Sequence, residues 1–297
     1  MGLLKKSALA IALSGAAMSA SASQFYIDTI GTGVGVAWDY DGAVCATCSG
    51  LKDELNINYD SVTTITLGDA TLDVGDAITT MGGLNVGAYG DNNVSSFDPT
   101  TNSAGFLANA GGIDNNAGAW GLSFSMNLIG EVLTTDGASV SEVKYTGGTI
   151  EVFAMVDDGT LGNGVIASAI NIFDMTVTGS DIDNNSNFLV FGNVSFSGNE
   201  DTAYADFFNI SGAGCNGDAT QNSFSEIADC VPEMEIAWIL DQNLYSVAAT
   251  FNTDGTATIE GDHEGSVRFN VPEPGSLLLL GAGLLGLGFG SKRRKRA

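Results

Sequence analysis

The chain has very few positively charged side chains. Of its 297 residues only ten are Lys or Arg, whereas 35 are Asp or Glu, and His263 is the single histidine. Seven of the ten cations lie near the two ends, so residues 23–270 hold three basic residues against 34 acidic ones, a net charge of −31. Such a surface repels nucleic acid and anionic lipid and attracts divalent cations or basic partners. Nucleic-acid binding is therefore excluded from the functions expected of this chain.

Polar residues that support helices are also scarce. Between residues 23 and 270 the chain has almost no Lys, Arg or Gln, but it is rich in Thr, Val, Ile, Phe, Gly, Asn and Asp, as strands and turns are. Apolar residues alternate with polar ones in Leu122–Leu128, which predicts a half-buried strand, and Thr149–Val156 is apolar on both faces, as in a central strand. We therefore expect one all-β domain at residues 23–270, an antiparallel β-sandwich that is jelly-roll-like.

Short apolar segments between turn residues predict the other strands. They are expected at Asn56–Leu67, Ile170–Thr178, Phe188–Phe196 and Tyr204–Ile210, followed by a three-stranded meander at Tyr245–Asn252, Thr256–Glu260 and Ser266–Val271. The turns of this meander are predicted at 253–255 and at Gly261–Gly265. Residues 82–118 are rich in Gly and Asn and show little periodicity, so we expect long loops with a few short strands there.

The last 27 residues combine three features. Two prolines in Val271-Pro272-Glu273-Pro274 lack N–H donors and end the preceding strand in an extended segment. An apolar run then predicts a hydrophobic membrane helix, with the side chains Leu277, Leu278, Leu279, Leu280, Leu284, Leu285, Leu287 and Phe289. The helix is roughly 27 Å long, slightly shorter than a hydrocarbon core. By the positive-inside rule, the C-terminus is held in the cytoplasm by Lys292, Arg293, Arg294, Lys295 and Arg296.

The N-terminal end has the organisation of a secretory signal. Two lysines precede an apolar stretch that ends at Met18, and Ala20-Ser21-Ala22 is an A-x-A cleavage site. The apolar stretch is too short to span a bilayer. We therefore expect a helical signal peptide at residues 1–22, which signal peptidase removes before Ser23.

The Val-Pro-Glu-Pro segment, the apolar run and the basic end together resemble the PEP-CTERM sorting signal of Gram-negative bacteria. This resemblance covers about a tenth of the chain, residues 271–297. It implies recognition by an exosortase, a membrane transpeptidase-like enzyme, and export linked to exopolysaccharide. The expected route is an intermediate held in the inner membrane by the C-terminal helix, followed by the cell surface or the extracellular matrix.

Four cysteines lie in the segment that is exported to an oxidising compartment, where disulfides persist. Cys45 and Cys48 form a Cys-x-x-Cys motif, and Cys215 and Cys230 are the second pair. Two local disulfides are expected, although four cysteines allow three connectivities. Redox activity and zinc binding are the alternatives, but the strand-to-helix context of redox sites is missing and the second pair is widely spaced for a zinc knuckle.

Oxygen-bearing side chains alternate at Asp181, Asp183, Asn185 and Asn187, as they do in calcium loops. The segment departs from the EF-hand pattern, because a serine stands in place of the turn glycine and a glycine in place of the bidentate glutamate. The alternative is a polar turn between two strands. Calcium is the one candidate cofactor, and no other is expected.

Residues suited to catalysis are scarce. His263 lies in the predicted solvated turn Gly261–Gly265, and the chain has no Gly-x-Ser-x-Gly elbow. A sugar-binding cleft would have only Trp38, Trp120 and Trp238 to draw on, and these are expected in the core. Two acids distant in sequence can still meet in space, so paired-carboxylate glycoside hydrolysis stays open. We expect a protein that is not an enzyme.

These features predict a non-enzymatic exported surface or matrix protein. The expected role is adhesion, flocculation or biofilm structure, in association with exopolysaccharide or matrix components. The order of signal, acidic β-rich body and tail, together with Asn58–Thr66, resembles the flocculation-associated PEP-CTERM proteins. The alternative is a secreted carbohydrate-binding module or polysaccharide hydrolase.

Overall fold

The computed structural model describes most strands of the body and several of the segments that join them. The described residues are 24–30, 48–89, 91–94, 120–157, 166–182, 187–196, 202–211, 222–230, 236–243 and 247–270. The predicted signal peptide at 1–22 and the predicted sorting signal at 271–297 lie outside these residues. A membrane-spanning helix is not found within the described residues.

The described residues form thirteen strands and two short helices. The strands are β1 (Phe25–Ile27), β2 (Leu55–Thr66), β3 (Ala77–Gly83), β4 (Asn93–Val94), β5 (Trp120–Thr135), β6 (Ser139–Asp157), β7 (Ile166–Ile182), β8 (Asn187–Ser195), β9 (Phe208–Ile210), β10 (Ala237–Asn243), β11 (Val247–Ala248), β12 (Thr250–Phe251) and β13 (Thr256–Asn270). The helices are α1 (Thr202–Ala205) and α2 (Phe224–Ala228). The strand pairs are antiparallel.

One large sheet contains eleven of these strands. Its hydrogen-bonded order is β12-β13-β10-β8-β7-β6-β5-β3-β2-β4, and β11 pairs with β6. β13 uses both of its edges: residues Thr256–Val267 pair with β2, while residues 265–270 pair with β10 on the other side. The sheet therefore closes on itself, and the eight strands β2, β3, β5, β6, β7, β8, β10 and β13 form an unbroken ring.

This architecture confirms the predicted all-β, antiparallel fold. Its connectivity differs from the expected jelly roll, because the eight strands of the ring follow one another around the sheet in chain order. Register shifts in the β5–β6, β6–β7 and β7–β8 pairs mark bulges, which bend strands and increase their twist. The bulges allow the sheet of long, consecutive strands to curve until β13 meets β2. The structure therefore has one closed sheet in place of the two separate layers of the expected sandwich.

Several predicted strands lie within the ring. β2 and β8 each begin and end one residue before the predicted strands Asn56–Leu67 and Phe188–Phe196. β7 contains the predicted strand Ile170–Thr178 and extends beyond it at both ends. Thr149–Val156 is part of β6, between β5 and β7. Ala154 and Met155, which point to opposite faces, are 0% and 4% exposed, so both faces of this segment are covered at that point.

Five phenylalanines form one end of the core, which we call the aromatic end: Phe25, Phe173, Phe208, Phe224 and Phe269. Each is at most 1% exposed. The centroids of Phe25 and Phe269 are 5.4 Å apart, and those of Phe173 and Phe208 are 5.1 Å apart, both edge-to-face. Phe25 and Phe208 belong to the two-stranded sheet β1-β9. The aromatic end therefore holds this small sheet and helix α2 against the ring.

A capping box begins helix α2. The Ser223 hydroxyl accepts a hydrogen bond from the Glu226 backbone N–H, and the Glu226 carboxylate accepts one from the Ser223 N–H. The Ser223 hydroxyl also lies 2.7 Å from the Asp206 carboxylate. These contacts tie α2 to the segment between α1 and β9.

Two strand predictions in the C-terminal half of the chain are corrected. Tyr204–Ile210 is strand only at Phe208–Ile210, and its first residues belong to α1. Residues 207–210 are all buried, so this segment has two covered faces and no strand-like alternation. The predicted strand Tyr245–Asn252 contains two short pieces, β11 paired with β6 and β12 paired with β13.

The predicted turn at Gly261–Gly265 is wrong, because β13 runs without interruption from Thr256 to Asn270. Asp262 and Glu264 are exposed, whereas the residues between and around them are half-buried, which is the alternation of a strand. Gly261 is required for space: a Cβ atom there would lie 2.7 Å from Nε2 of His263. The turn predicted at 253–255 is confirmed, with Gly255 at φ +84°.

The predicted half-buried strand Leu122–Leu128 is buried on both faces over most of its length. The Ser123 hydroxyl donates to the Asn92 carbonyl oxygen at 2.6 Å, and Asn127 is the exposed exception. The cover over Ser123 comes from the region expected to form long loops, residues 82–118, of which 82–89 and 91–94 are described. Local alternation could not reveal this cover, because it comes from elsewhere in the chain.

Truncation of Phe208 tests the aromatic end. Phe208→Ala removes a fully buried ring that contacts Phe25 and Phe173, so we expect the free energy of unfolding to fall by about 3–5 kcal/mol. Chemical denaturation followed by tryptophan fluorescence measures the change. The control is Phe251→Ala, since Phe251 is 47% exposed and its loss should stay within about 0.5 kcal/mol. Equal losses would show that the aromatic end does not stabilise the fold.

Candidate functional site

A cavity of about 100 Å³ lies inside the ring of strands. Seven strands contribute to its wall, and on β13 the lining residues are Ile259, Gly261 and His263. Phe269 of the aromatic end stands six residues beyond His263 on the same strand. The wall is mostly apolar, with Met126, Leu128, Phe188, Val190, Leu240 and Ile259. The cavity is therefore a second, incompletely filled part of the interior.

His263 provides one polar group of the wall. Its ring stacks on Tyr59, with centroids 4.9 Å apart, and its Nε2 lies 2.7 Å from the Ser61 hydroxyl. The register of β13 and β2 places His263 opposite Tyr59 and Gly261 opposite Ser61. Burial lowers the pKa of His263, and this effect outweighs the carboxylates of Asp262 and Asp60, which raise it. The imidazole is therefore neutral at pH 7.

Three hydroxyl groups form a second polar feature, which we call the hydroxyl chain. Thr63 Oγ1 lies 2.7 Å from Thr80 Oγ1, and Thr80 Oγ1 lies 2.8 Å from the Tyr145 hydroxyl. All three side chains are buried. Burial raises the pKa of Tyr145 and that of Tyr59, so both phenols keep their protons. The interior polar groups are therefore uncharged.

The pair of Ser61 and His263 has two of the three members of a nucleophilic triad. The neighbouring acids Asp262 and Glu264 are exposed on the outer face of β13. Among the described residues, Ser61 is the hydrogen-bond partner of the imidazole, and no carboxylate orients the ring. The pair as described therefore lacks the group that fixes the tautomer in a triad.

Sequence reasoning placed His263 in a solvated turn, and the structure corrects this. A signal was available, because Gly261, His263 and Gly265 alternate with Asp262 and Glu264 at the period of a strand. The frequency of Gly and Asp favoured a turn instead. Tyr59 and the hydroxyl chain had no comparable signal, because strand pairing alone brings them together.

A pair of carboxylates lies on the outer face of the ring. Glu151 of β6 is directly opposite Asp174 of β7. The Ser125 hydroxyl donates to Glu151 at 2.7 Å, and the Asn171 amide donates to Asp174 at 3.0 Å. Burial raises the pKa of Asp174; the Asn171 hydrogen bond lowers it and the charge of Glu151 raises it further. Asp174 thus keeps its proton to higher pH than an ordinary aspartate.

The predicted calcium ligands are only partly within the described residues. Asp181 lies near the end of β7, where its carboxylate accepts a hydrogen bond from the Ile182 N–H at 2.8 Å. Asn187 begins β8, and Asp183 and Asn185 lie outside the described residues. Within the part of the chain that is described, no three His, Cys, Asp or Glu residues are grouped to hold a metal ion. The calcium site stays a prediction.

Two of the four cysteines are described. Cys48 and Cys230 are buried and disulfide-bonded, whereas Cys45 and Cys215 lie outside the described residues, so the predicted pairing stays a prediction. Trp120 is 4% exposed and Trp238 is fully buried, in agreement with the expected core positions. Trp38 lies outside the described residues.

Folding stability should depend on pH through His263. Its folded-state pKa lies below the ordinary value of 6.5, so the unfolded chain takes up this proton first as the pH falls. Stability is therefore lost as the pH drops through the ordinary histidine pKa, and this loss ends below the folded-state pKa. His263→Gln does not titrate, so the stability of the wild type minus that of the variant should decrease from about pH 7.5 to about pH 5.

Denaturation midpoints of both proteins at each pH give this difference. The carboxylates common to both proteins contribute to each curve and largely cancel when one is subtracted from the other. A difference that stays constant across this range would contradict the buried, neutral state of His263.

Comparison with known proteins concerns the C-terminal end. A family model for the PEP-CTERM protein-sorting motif matches residues 270–295. No curated protein and no solved structure matches the chain. The match confirms the resemblance seen in the Pro-Glu-Pro segment, the apolar run and the basic end, and the motif marks an exported protein that an exosortase processes and that is sorted to the cell surface. The chain therefore contains a PEP-CTERM protein-sorting motif at residues 270–295.

Proposed function

We propose that the body of this protein acts at the cell surface or in the extracellular matrix without catalysing a reaction. Its role is adhesion, flocculation or the maintenance of biofilm structure, through association with exopolysaccharide or other matrix components. It needs no resident cofactor, and calcium is the candidate ion for its acidic surface. The sorting motif supports the location, and the outer surface of the ring supports the role.

The observation that carries the proposal is an acidic face on β13 and β2. Glu260, Asp262 and Glu264 are exposed along β13, and Asp262 lies directly opposite Asp60 of β2. Like charges that face each other across strands destabilise a sheet. The pairing of Asp60 with Asp262 therefore does not serve folding stability, whereas divalent cations or basic groups outside the protein would relieve the repulsion.

The tail is proposed to deliver this acidic body and then to leave it. Signal peptidase removes residues 1–22, and the C-terminal helix holds the chain in the inner membrane until the exosortase acts at the Pro-Glu-Pro segment. The five basic residues of the tail stay on the cytoplasmic side. The body that reaches the surface has only three basic residues against its 34 acids.

Substitution of the Pro-Glu-Pro segment tests the delivery step. In cells that express the protein, replacing Pro272, Glu273 and Pro274 by alanine should leave the chain in the inner-membrane fraction with its tail attached. Intact-mass analysis of the extracellular and membrane fractions distinguishes the products by the tail's mass. The control replaces Pro99 and Pro232, prolines outside the motif, and should be processed as the wild type is. Normal processing of the triple variant would contradict exosortase recognition of this segment.

Charge removal on the acidic face tests the surface role. A deletion strain should aggregate and attach less than the wild type, and the wild-type gene should restore both. The variant Glu260→Gln, Asp262→Asn, Glu264→Gln should be exported in normal amounts but restore less than about half of the attachment, because it lacks the charges that bridge to the matrix. Crystal-violet staining and settling rates measure the two properties.

The matched control keeps the charge and changes the side chains: Glu260→Asp, Asp262→Glu, Glu264→Asp. It should restore attachment fully. Equal rescue by both variants would count against the acidic face, and a deletion strain with unchanged aggregation, matrix composition and attachment would overturn the proposed role.

Glu151 and Asp174 give the alternative function a specific location. Two carboxyl groups that flank the scissile bond are required for glycoside hydrolysis, one of them as a general acid with a raised pKa. Burial, together with the charge of Glu151, raises the pKa of Asp174. A glycan array and a polysaccharide turnover assay discriminate the functions. Turnover that is lost in both Glu151→Gln and Asp174→Asn, but kept when Asp60 is replaced by Asn, would favour the hydrolase.

A further inference from the structure

We propose that the cavity inside the ring is a binding site for a small uncharged organic molecule, one apolar ring in size, that carries a single hydroxyl or carbonyl oxygen. The inference goes beyond the surface role, because it concerns the interior of the ring and not its acidic face. Three properties of the cavity support it: its size, the uncharged hydrogen-bonding groups of its wall, and the charge near its entrance.

The size of the cavity matches one ring. Its volume of about 100 Å³ is of the same order as the apolar cavity of about 150 Å³ that admits benzene. Leu128, Val190 and Ile259 give it an apolar wall, and the ring of Phe188 packs edge-to-face on Tyr145 at 5.4 Å. A single six-membered ring is therefore the upper limit of the ligand's size, and a disaccharide or a long acyl chain exceeds the space.

The wall offers uncharged hydrogen-bonding groups to a ligand. The hydroxyl groups of Thr63, Thr80 and Tyr145 are joined by contacts of 2.7 and 2.8 Å, and the Ser61 hydroxyl lies 2.7 Å from Nε2 of His263. Each hydroxyl group has one donor and two acceptor sites, so one contact does not exhaust its capacity. A ligand oxygen can therefore exchange hydrogen bonds with this wall.

Charge excludes anionic ligands. Glu142 is the one carboxylate among the described lining residues, and none of those residues is Lys or Arg. Glu142 is half-buried and accepts a hydrogen bond from Thr134 at 3.0 Å, and its neighbour Ser141 is exposed, so the entrance lies at the start of β6. A carboxylate at the entrance, in a body of charge −31, repels a carboxylate or phosphate ligand.

Four probes of similar size separate the contributions of shape, hydrogen bonding and charge: phenol, benzene, benzoate and benzylamine. With the purified full-length protein at pH 7.4, phenol should bind with a dissociation constant of about 1 mM or lower. Benzoate should bind at least about tenfold more weakly because of like-charge repulsion. Benzene, which has no acceptor oxygen, should bind about two- to tenfold more weakly than phenol. Isothermal titration and saturation-transfer NMR measure the four affinities.

Two pairs of variants locate the binding. Ile259→Phe fills the cavity and should reduce phenol binding at least about tenfold, whereas Ile239→Phe, at a side chain that is 43% exposed on β10, should not. Thr80→Val removes the middle hydroxyl group of the hydroxyl chain. It should weaken the binding of phenol about two- to tenfold and leave the affinity for benzene unchanged. Thr79→Val is its control, since Thr79 is exposed on the same strand.

Circular dichroism and melting curves show whether each variant is folded. If Ile259→Phe fails to fold, the Thr80→Val and Thr79→Val pair still decides the question. Absence of phenol binding to the wild type, equal affinity for phenol and benzoate, or identical affinities in Thr80→Val and Thr79→Val would overturn the proposal. Tighter binding of benzylamine than of phenol would contradict the proposal that the ligand is uncharged and would assign the site to an amine.

Discussion

The pairing of β13 with both β2 and β10 is the constraint on which the rest of the structure depends. Without the contact between Thr256–Val267 and β2, the eight ring strands would form an open sheet with two free edges. Closure creates an interior, places the aromatic end in it, and encloses the cavity beside His263. It also leaves the other face of every ring strand on the outside, where the acidic side chains of β13 lie.

Closure separates two chemical environments that share the same strands. Inside, burial keeps the pKa of His263 low and that of Tyr145 high, so both are neutral and hydrogen-bonded. Outside, Asp60 and Asp262 face each other in register. A strand can serve both environments because successive side chains point to opposite faces. The proposed surface role and the proposed ligand site therefore use opposite faces of one sheet.

The parts of the fold that were predicted correctly are those that depend on neighbours in sequence. β2 was recognisable from a short apolar segment between turn residues and the centre of β6 from a segment that is apolar on both faces. The turn before β13 was recognisable from its glycine. The predicted turn at Gly261–Gly265 was wrong, because Gly261 is small to accommodate the ring of His263 and not to reverse the chain. Ser123 was wrongly expected on an open face, since its cover comes from Asn92.

By itself, the sequence determined the sorting signal at residues 271–297, the acidity of the body and the antiparallel β class, because each depends on composition or on residues close together in the chain. The tertiary structure decided that the sheet closes, that Glu151 meets Asp174, and that Ser61 meets His263 across 202 positions of sequence. The reason is physical: strand register is set by packing and bulges over the whole ring, and one residue of slip would turn His263 outward.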